Sequence, residues 1–418
     1  GIEHVKKQYQ VTGAGTRIAL LDTGVDYTHP KLRRAFGEYK GWDFIDDDSE
    51  PLETKEGDTR GAPTYHGTYI AGIISGDDPI NGVAPDAQLL AYRVLGPGGV
   101  GTTSRILSGL EKAVHDRTDI ILMAFEKKQS KKDYILQKAL ETVLDHDILV
   151  VTTDATLIEG SNNNLLTVGS SHPPHDKYNV SIETSQNING VDVFGAKDKD
   201  QLLSLDGRIL KVIDGRDLLQ STLDNNVNLM GKAALIELSE GKIADQVSDL
   251  SKKGLSAVLF ETEREFGNHP VLENLDIPAF KVTKSDHTRN IVNQNVRFHV
   301  RSTFVSNETI PSDSGYGHKS NNPDIVTPSN QISAMAENRN NRPYALWSGK
   351  SMSAAQVTGA IALLREAHPD WENKDLISSI TQTYQPIVIK PTHNDEIGSL
   401  RLNEAIHASV SIHPNELI

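Results

Sequence analysis

Cysteine is absent from this 418-residue sequence. Its absence excludes disulfide bonds, cysteine-ligated zinc, iron–sulfur clusters and thiol nucleophiles. Long apolar runs are also absent: none approaches the ~20 residues that a membrane-spanning helix needs, so we expect no membrane partner. Basic residues are outnumbered, with 42 Lys and Arg against 56 Asp and Glu, and the net charge is −14. This balance argues against nucleic acid as a partner, because phosphate binding needs a concentrated Lys/Arg surface.

The remaining composition is typical of a folded chain. Hydrophobic residues make up 37% of the sequence and charged residues 23%, a mixture that can build a core and keep it in solution. The length predicts about two or three domains. The sequence opens at Gly1 without a signal-peptide pattern, which fits a processed mature chain or a trimmed one.

Short apolar runs and helical patterns alternate along the first third of the chain. The runs are "RIALLD" (17–22), "QLLAYRVL" (88–95), "DIILMAF" (119–125) and "DILVVTT" (147–153). Residues 104–116 and 132–146 carry apolar side chains at helical spacing, with Ser104 as the predicted N-cap of the first helix. Strands that alternate with helices predict an α/β fold, a parallel sheet covered on both faces. The ligand site of such a sheet lies at the carboxyl ends of its strands.

The pattern changes near residue 187. From 187 to 304 the sequence shows polar strands, few helices and one α/β unit, "KAALIEL", "ADQVSDLSKKG" and "SAVLFET". After it, residues 351–371 form the longest helical pattern in the chain, and the small residues on one of its faces predict close packing. We therefore predict a small mixed α/β domain inserted at 187–304, with the first domain built from 1–186 and 305–418.

Three short segments carry residues suited to nucleophilic catalysis. Asp22 ends a strand in "IALLDTGVD", His66 opens a helix in "YHGTYIAG", and Ser351 opens the long helix in "WSGKSMSAA". A serine hydroxyl needs a neutral imidazole to take its proton, and the imidazole needs a carboxylate to fix its tautomer. A helix N-terminus at Ser351 supplies N–H groups to a developing oxyanion. The three residues are therefore the predicted catalytic triad.

Together, these segments resemble those of the subtilisin-like serine peptidases, which have the same order of aspartate, histidine and serine. The flanking sequences "NGVAPDAQLLAYRVLGPGGVG" and "NNPDIVTPSNQI" are similar to that family as well, so the resemblance covers nearly the whole chain. It implies a subtilisin-like parallel sheet with helices on both faces. The insert resembles the protease-associated domain of some larger secreted subtilases.

The resemblance implies a secreted serine endopeptidase with an acyl-enzyme mechanism. A polypeptide substrate is expected as partner, together with a possible pro-peptide, and the chemistry requires no cofactor and no metal. By the same resemblance, the substrate adds as a strand to two segments of the cleft. The residues implied to bind it are Gly99, Val100, Gly101, Ala124, Phe125 and Glu126.

The sequence departs from the family beside the chemistry. The strand "ILVV" leads in the family to an asparagine whose amide stabilises the oxyanion, but no asparagine occurs here before Asn162. Thr156, Asp154 and Lys350 are the candidates for an alternative donor. These departures keep a second hypothesis open, in which a subtilase-fold protein with impaired or no turnover acts as a binding or regulatory module.

An acidic run, "DFIDDDSEPLE" (43–53), precedes the histidine segment. Clustered carboxylates are what calcium requires, so a structural calcium ion is possible. The run lacks the ligand spacing and the turn glycine of an EF-hand loop. We therefore predict a solvated loop here.

Overall fold

A computed structural model of the chain divides into two compact units. The first comprises Gly1–Pro173, Glu308–Tyr344 and Ser348–Ile418, and the second comprises Pro174–Asn307 and Ala345–Trp347. The structure describes residues 1–55, 59, 61–125, 133–157, 162–184, 188–195, 199–215, 218, 228–237, 243–262, 275–311, 314, 322–329, 331–334, 344–387 and 397–408.

A nine-stranded sheet is the centre of the first unit. Strands of this unit are β1 (Arg17–Asp22), β2 (Gly41–Asp43), β3 (Gln88–Arg93), β4 (Ile120–Met123), β5 (Leu149–Thr152), β6 (Leu165–Ser171), β14 (Ile325–Pro328), β15 (Gln331–Ala334), β17 (Gln385–Pro386) and β18 (Gly398–Ser399). A further short strand, β16, covers Tyr344–Trp347. The order in the sheet is β17-β18-β14-β6-β5-β4-β1-β3-β2, and only the pair β17 and β18 is antiparallel.

The central strands are buried along their whole length. Every residue of β4 and β5 is buried, and so is all of β1 after Arg17. These strands read as continuous apolar runs without alternation, because helices cover both faces of a parallel sheet. The predicted α/β fold with a subtilisin-like parallel sheet is confirmed, and β1 has the predicted bounds.

The described residues of this unit include seven α-helices. They are α1 (Ile2–Tyr9), α2 (His66–Ser75), α3 (Thr103–His115), α4 (Tyr134–Leu144), α8 (Lys350–Ala367), α9 (Asn373–Gln382) and α10 (Leu402–Ala405). On one face of the sheet, Ala19 and Leu21 pack in a core with Ile106 of α3 and Leu136 of α4. Helix α8 contacts α2, β4, β5 and β6. The predicted N-cap of α3 was wrong: Thr102 caps this helix, and its hydroxyl accepts the N–H of Arg105.

Small side chains let α8 enter the core. Residues 352–364 of this helix are all buried, as the small-residue face predicted. A Cβ atom at Gly359 would lie 2.7 Å from Val83 Cβ, so only glycine permits this approach. Near the other end of α8, the carboxylate of Glu366 accepts three consecutive backbone N–H groups, those of residues 12–14, at 2.6, 2.6 and 3.2 Å. Helix α8 therefore fixes the segment that leads into β1.

The second unit is a closed barrel of seven strands. They are β7 (His175–Glu183), β8 (Ile188–Gly195), β9 (Ile209–Asp214), β10 (Lys232–Glu237), β11 (Ala257–Thr262), β12 (Ala279–Thr283) and β13 (Asn295–Val305). Strands β9 to β12 run parallel, and β8, β7 and β13 close the barrel through antiparallel pairs. Its helices are α5 (Lys199–Leu203), α6 (Ile243–Lys252) and α7 (Asp286–Arg289).

The predicted α/β unit within the insert is β10, α6 and β11. The barrel begins earlier than residue 187, the predicted start of the insert, because β7 pairs with β13 over nine residues from His175 to Glu183. The assignment of 187–304 as an inserted protease-associated domain stays a prediction. In the described part of both units, no helix is long and apolar enough to cross a bilayer.

Candidate active site

The carboxyl ends of three neighbouring strands form the edge at which the site lies. Asp22 is the last residue of β1, Ala124 directly follows β4, and Asp154 follows β5 by two residues. Leu20 of β1 lies opposite Leu122 of β4, so Asp22 and Ala124 come level at this edge. Parallel strands end on the same side of a sheet, which is where α/β proteins place their ligands.

Helix α2 brings His66 to the Asp22 carboxylate. The imidazole Nδ1 lies 2.8 Å from Asp22 Oδ1 and 2.9 Å from Oδ2. Asp22 is 2% exposed and also accepts the backbone N–H of Thr23 at 2.7 Å. The close approach depends on Gly67, since a Cβ atom there would lie 2.0 Å from the carbonyl oxygen of Gly24. An ionised carboxylate accepts only, so this contact places a proton on Nδ1.

The charge of Asp22 changes the acidity of the imidazole. Burial lowers the pKa of His66, but the charge of Asp22 and its hydrogen bond raise it, and Glu53 raises it further when it is ionised. The net effect is a pKa above the ordinary value of 6.5. The protonated form of His66 is therefore stabilised, as a group that accepts a proton during catalysis requires.

Ser351 lies in the first turn of α8, after Gly349. The backbone of Gly349 has φ = +146°, a conformation that glycine adopts without strain. Within the described part of the chain, the Ser351 hydroxyl donates to the carbonyl oxygen of Ala124 at 2.8 Å and not to His66. The backbone N–H of Ser351 has no hydrogen-bond partner among the described residues, as expected in a first helical turn. Asp22 and His66 are thus in contact, while Ser351 makes a different bond.

Two of the oxyanion candidates bond to each other. Thr156 donates its hydroxyl at 2.6 Å and its backbone N–H at 2.9 Å to Asp154 Oδ1. The hydroxyl hydrogen of Thr156 is therefore engaged by the carboxylate. Lys350 is the first residue of α8, and burial lowers the pKa of its ammonium group.

The predicted substrate-binding segments flank this edge of the sheet. Gly99 ends a single 3₁₀ turn, Val100 is 55% exposed, and Gly101 forms a bridge with Leu95. Phe125 is partly buried against the core on the α3 side. Ala124 is 2% exposed, and its carbonyl oxygen holds the Ser351 hydroxyl. The last predicted member, Glu126, lies outside the described residues.

The acidic run is solvated in its middle, where residues 46–50 are exposed as predicted, but both of its ends are buried. Asp43 is fully buried, and its Oδ2 lies 2.7 Å from Nη1 of Arg93, which also contacts Asp46 at 2.7 Å. Glu53 is fully buried too. The prediction was wrong for Asp43 because Arg93, fifty residues away in the chain, supplies the charge that allows burial.

Glu53 is the residue of the site that sequence reasoning missed. Burial raises its pKa to about 7, and the charge of Asp22 adds to this, while hydrogen bonds from three threonines act in the opposite direction. Its position at the end of an acidic run hid it, since a run of like charges usually marks a solvated segment. The one local signal for burial is the segment "PLET" after Glu50, which is less charged than the residues before it. Within the described residues, no group of three or more acidic or histidine side chains is placed to hold a metal ion.

The sequence matches a known family over most of its length. A family profile described as "Subtilase family" matches residues 13–401. The chain is 28% identical over 96% of its length to the minor extracellular protease Vpr of Bacillus subtilis, covering 53% of that protein. It therefore spans about half the length of this relative.

Two further relatives are also peptidases by name. An intracellular serine protease of Paenibacillus polymyxa is 30% identical over 63% of this chain and 78% of its own length. Subtilisin E of Bacillus subtilis is 31% identical over 38% of this chain and 38% of its own. The relatives thus include proteins described as extracellular and as intracellular.

Proposed function

Because the chain belongs to the subtilase family, we propose that it is a serine endopeptidase that cleaves protein substrates through an acyl-enzyme. The observation that carries this proposal is the double contact between His66 Nδ1 and the Asp22 carboxylate at the carboxyl edge of the sheet. This contact orients the imidazole and stabilises its protonated form, which is what activation of a serine hydroxyl requires.

In the proposed reaction, the Ser351 hydroxyl first rotates from the Ala124 carbonyl oxygen to the imidazole. His66 takes the hydroxyl proton as Oγ attacks the peptide carbonyl carbon. The protonated imidazole then gives this proton to the leaving amine as the C–N bond breaks. Water activated by His66 hydrolyses the ester and restores the Ser351 hydroxyl. Asp22 stays ionised throughout and stabilises the imidazolium.

We propose the backbone N–H of Ser351 as an oxyanion donor. Its first-turn position gives it no helical partner, and the dipole of α8 favours negative charge there. Lys350, whose pKa is lowered by burial, is the second candidate. Thr156 is a poor donor while Asp154 holds its hydroxyl. Asp154 accepts hydrogen bonds and donates only when protonated.

The substrate is a polypeptide that adds as a strand between Gly99–Gly101 and the segment from Ala124 to Glu126. Exposure of Val100 supports this placement. The chemistry requires no cofactor or metal, and a structural calcium ion stays possible. We propose a secreted location, which the resemblance to Vpr supports, and a possible pro-peptide partner.

A second function is favoured by one observation. The Ser351 hydroxyl donates to a backbone carbonyl oxygen, a weak base, and the hydroxyl of Thr156, a candidate oxyanion donor, is engaged by Asp154. A protein that keeps this arrangement after binding a peptide would be a binding or regulatory module with impaired turnover. Loss of one oxyanion donor costs roughly 100- to 1000-fold in rate, a magnitude taken from subtilisin, a member of this family.

Labelling with a fluorophosphonate, detected by intact mass, separates the two functions. An activated serine should give a single adduct that is absent in Ser351→Ala and present in the control Ser49→Ala, which changes an exposed serine. The adduct should form faster than on free serine in solution. A folded chain that forms no adduct would favour the binding module.

A further inference from the structure

A second buried carboxylate lies behind the proposed triad and takes no part in the mechanism above. Glu53 is fully buried in the segment between β2 and α2. Its Oε1 accepts the backbone N–H of Thr68 at 3.0 Å, and the Thr64 hydroxyl also bonds to the carboxylate. A fully buried glutamate is costly unless each of its oxygens is satisfied or the group is neutral.

One hydroxyl group joins this carboxylate to Asp22. Thr23 Oγ1 lies 3.1 Å from Asp22 Oδ1 and 3.0 Å from Glu53 Oε1. The same oxygen accepts the backbone N–H of Gly67 at 3.1 Å. A hydroxyl has one hydrogen and two lone pairs. If both carboxylates were ionised, a single hydrogen would have to serve two anionic oxygens.

One additional proton removes the conflict at the Thr23 hydroxyl. With a proton on Glu53 Oε1, the carboxyl O–H donates to Thr23 Oγ1, which also accepts from Gly67, and the Thr23 hydroxyl donates to Asp22 Oδ1. Every donor and acceptor at Thr23 is then used. The reverse assignment is worse, because Asp22 already accepts from His66 and from the N–H of Thr23, and these bonds favour its ionised form.

We propose that Glu53 carries a proton while Asp22 is ionised, and that through Thr23 it positions the Asp22 carboxylate against His66. The kinetic consequence of this inference rests on the proposed peptidase function. The location of the proton is independent of that function. Glu53 is a positioning residue, since it acts on the imidazole through Thr23 and Asp22.

The surrounding charges agree with a proton at this position. Asp22 at the end of β1 and the burial of Glu53 both raise the pKa of Glu53, to about 7. The nearby cations have other partners: Arg93 of β3 contacts Asp43 and Asp46, and Lys55 lies 3.8 Å from Asp26. His66 of α2 is the other described titratable group whose charge interacts with that of Glu53.

Loss of the Glu53 proton changes the pKa of His66 in a defined direction. Ionised Glu53 adds a second negative charge, which raises the pKa of His66. The two groups therefore titrate together, and the acid side of the activity profile reports a coupled pair. In Glu53→Gln the amide donates to Thr23 without carrying charge. In this variant, the midpoint on the acid side of the activity profile should shift to lower pH by roughly half a unit. The profile should then follow the titration of a single group.

Infrared spectroscopy locates the proton without any need for activity. Wild-type protein and Ser351→Ala should both show a protonated-carboxyl C=O stretch at about pH 5.5 that disappears by about pH 9. The band should be absent in Glu53→Gln and unchanged in Glu50→Gln, which alters an exposed carboxylate two residues after Asp48. Thr23→Val should keep the band but shift its frequency, because the hydrogen-bond acceptor is lost.

The pH profile of fluorophosphonate labelling then tests the positioning role. A midpoint that shifts in Glu53→Gln but not in Glu50→Gln supports the proposal, and identical profiles would overturn the positioning role. Absence of a titrating band in wild-type protein would overturn the proton assignment. If no variant is labelled, the peptidase function fails, yet the band still decides where the proton lies. If Glu53→Gln does not fold, the frequency shift in Thr23→Val makes the assignment.

Discussion

Both units of this protein place carboxylates at the carboxyl ends of parallel strands, but the groups beside those carboxylates differ. In the sheet of the first unit, Asp22 faces an imidazole, a hydroxyl and a backbone amide. In the barrel, the last residues of β9 and β10 and the second-last residue of β11 are acidic. With Arg289, they line a cavity of about 200 Å³. The acidic residues are Asp214, Glu237 and Glu261.

Permanent cations hold the carboxylates of the barrel. Arg289 Nη2 lies 3.1 Å from Glu261 Oε2, and Lys284 Nζ lies 2.7 Å from Glu237 Oε1. A guanidinium stays charged at every physiological pH, so such a pair stabilises structure but cannot exchange protons. An imidazole changes charge near neutrality. The comparison shows that the strand end supplies only the position, and that the partner decides whether a carboxylate can serve proton transfer.

The largest effect should come from Asp22→Asn. An amide can donate to Nδ1, which favours the wrong imidazole tautomer, so kcat/KM should fall about 10⁴-fold, as for the same change in another serine peptidase triad. Peptide hydrolysis rates measure this. The matched change in the barrel, Glu261→Gln, should leave kcat/KM unaltered. Equal losses in both variants would contradict the contrast between the two strand ends.

The next effect concerns stability and pH. The pKa of Glu53 is raised from 4.5 to about 7, so between these values the folded protein holds a proton that the unfolded chain has released. The resulting stability is complete below about pH 4 and is lost as the pH rises through about 7, amounting to about 3 kcal/mol. Relative to Glu53→Gln, which has no titrating group at this position, the unfolding free energy of wild type from urea titrations should fall as the pH rises over this range. A difference that stays constant with pH would contradict it.

A smaller effect is expected in the barrel from Arg289→Ala. Glu261 is 3% exposed and would lose its cation, so the free energy of unfolding should fall by about 2 kcal/mol. Arg289→Lys should recover part of this loss because it keeps the charge but not the planar fork. Chemical denaturation measures both variants. An unchanged stability in Arg289→Ala would show that solvent already satisfies Glu261.

The smallest effect should come from Arg297→Ala on β13. This arginine and its partner Glu183 are about half exposed, 46% and 53%, and Glu183 keeps His299 as a second partner. The free energy of unfolding should change by less than about 0.5 kcal/mol. Chemical denaturation measures this variant as well. A loss of stability as large as that of Arg289→Ala would show that burial does not explain the difference between the two ion pairs.

Local patterns predicted elements of the first unit because the apolar residues of each strand and helix indicate which of its side chains are buried. The run "RIALLD" became β1 residue for residue, and the small residues after Ser351 became a buried helix. The three segments proposed to hold the triad stand out in the sequence because each combines a reactive residue with the strand or helix end that exposes it. The N-cap of α3 was misplaced by two residues, since Thr102 and Ser104 both suit that position.

Features that depend on distant partners could not be predicted. Burial of Asp43 depends on Arg93, and burial of Glu53 depends on Thr23 and on the first turns of α2. Barrel closure depends on β7 pairing with β13 more than a hundred residues away. The bond from Ser351 to Ala124 joins residues 227 apart, and no sequence pattern encodes a side-chain rotation.

The three N–H groups that bind Glu366 have one more consequence. A peptidase at high concentration meets copies of itself, and any extended surface segment is a potential site of self-digestion. A segment enters a cleft of this kind by adding as a strand, which requires its backbone N–H groups. Residues 12–14 have already committed theirs to a carboxylate on the helix that carries Ser351. If the proposed peptidase function holds, the helix that carries Ser351 also keeps this arm from adding as a strand to the cleft of another copy.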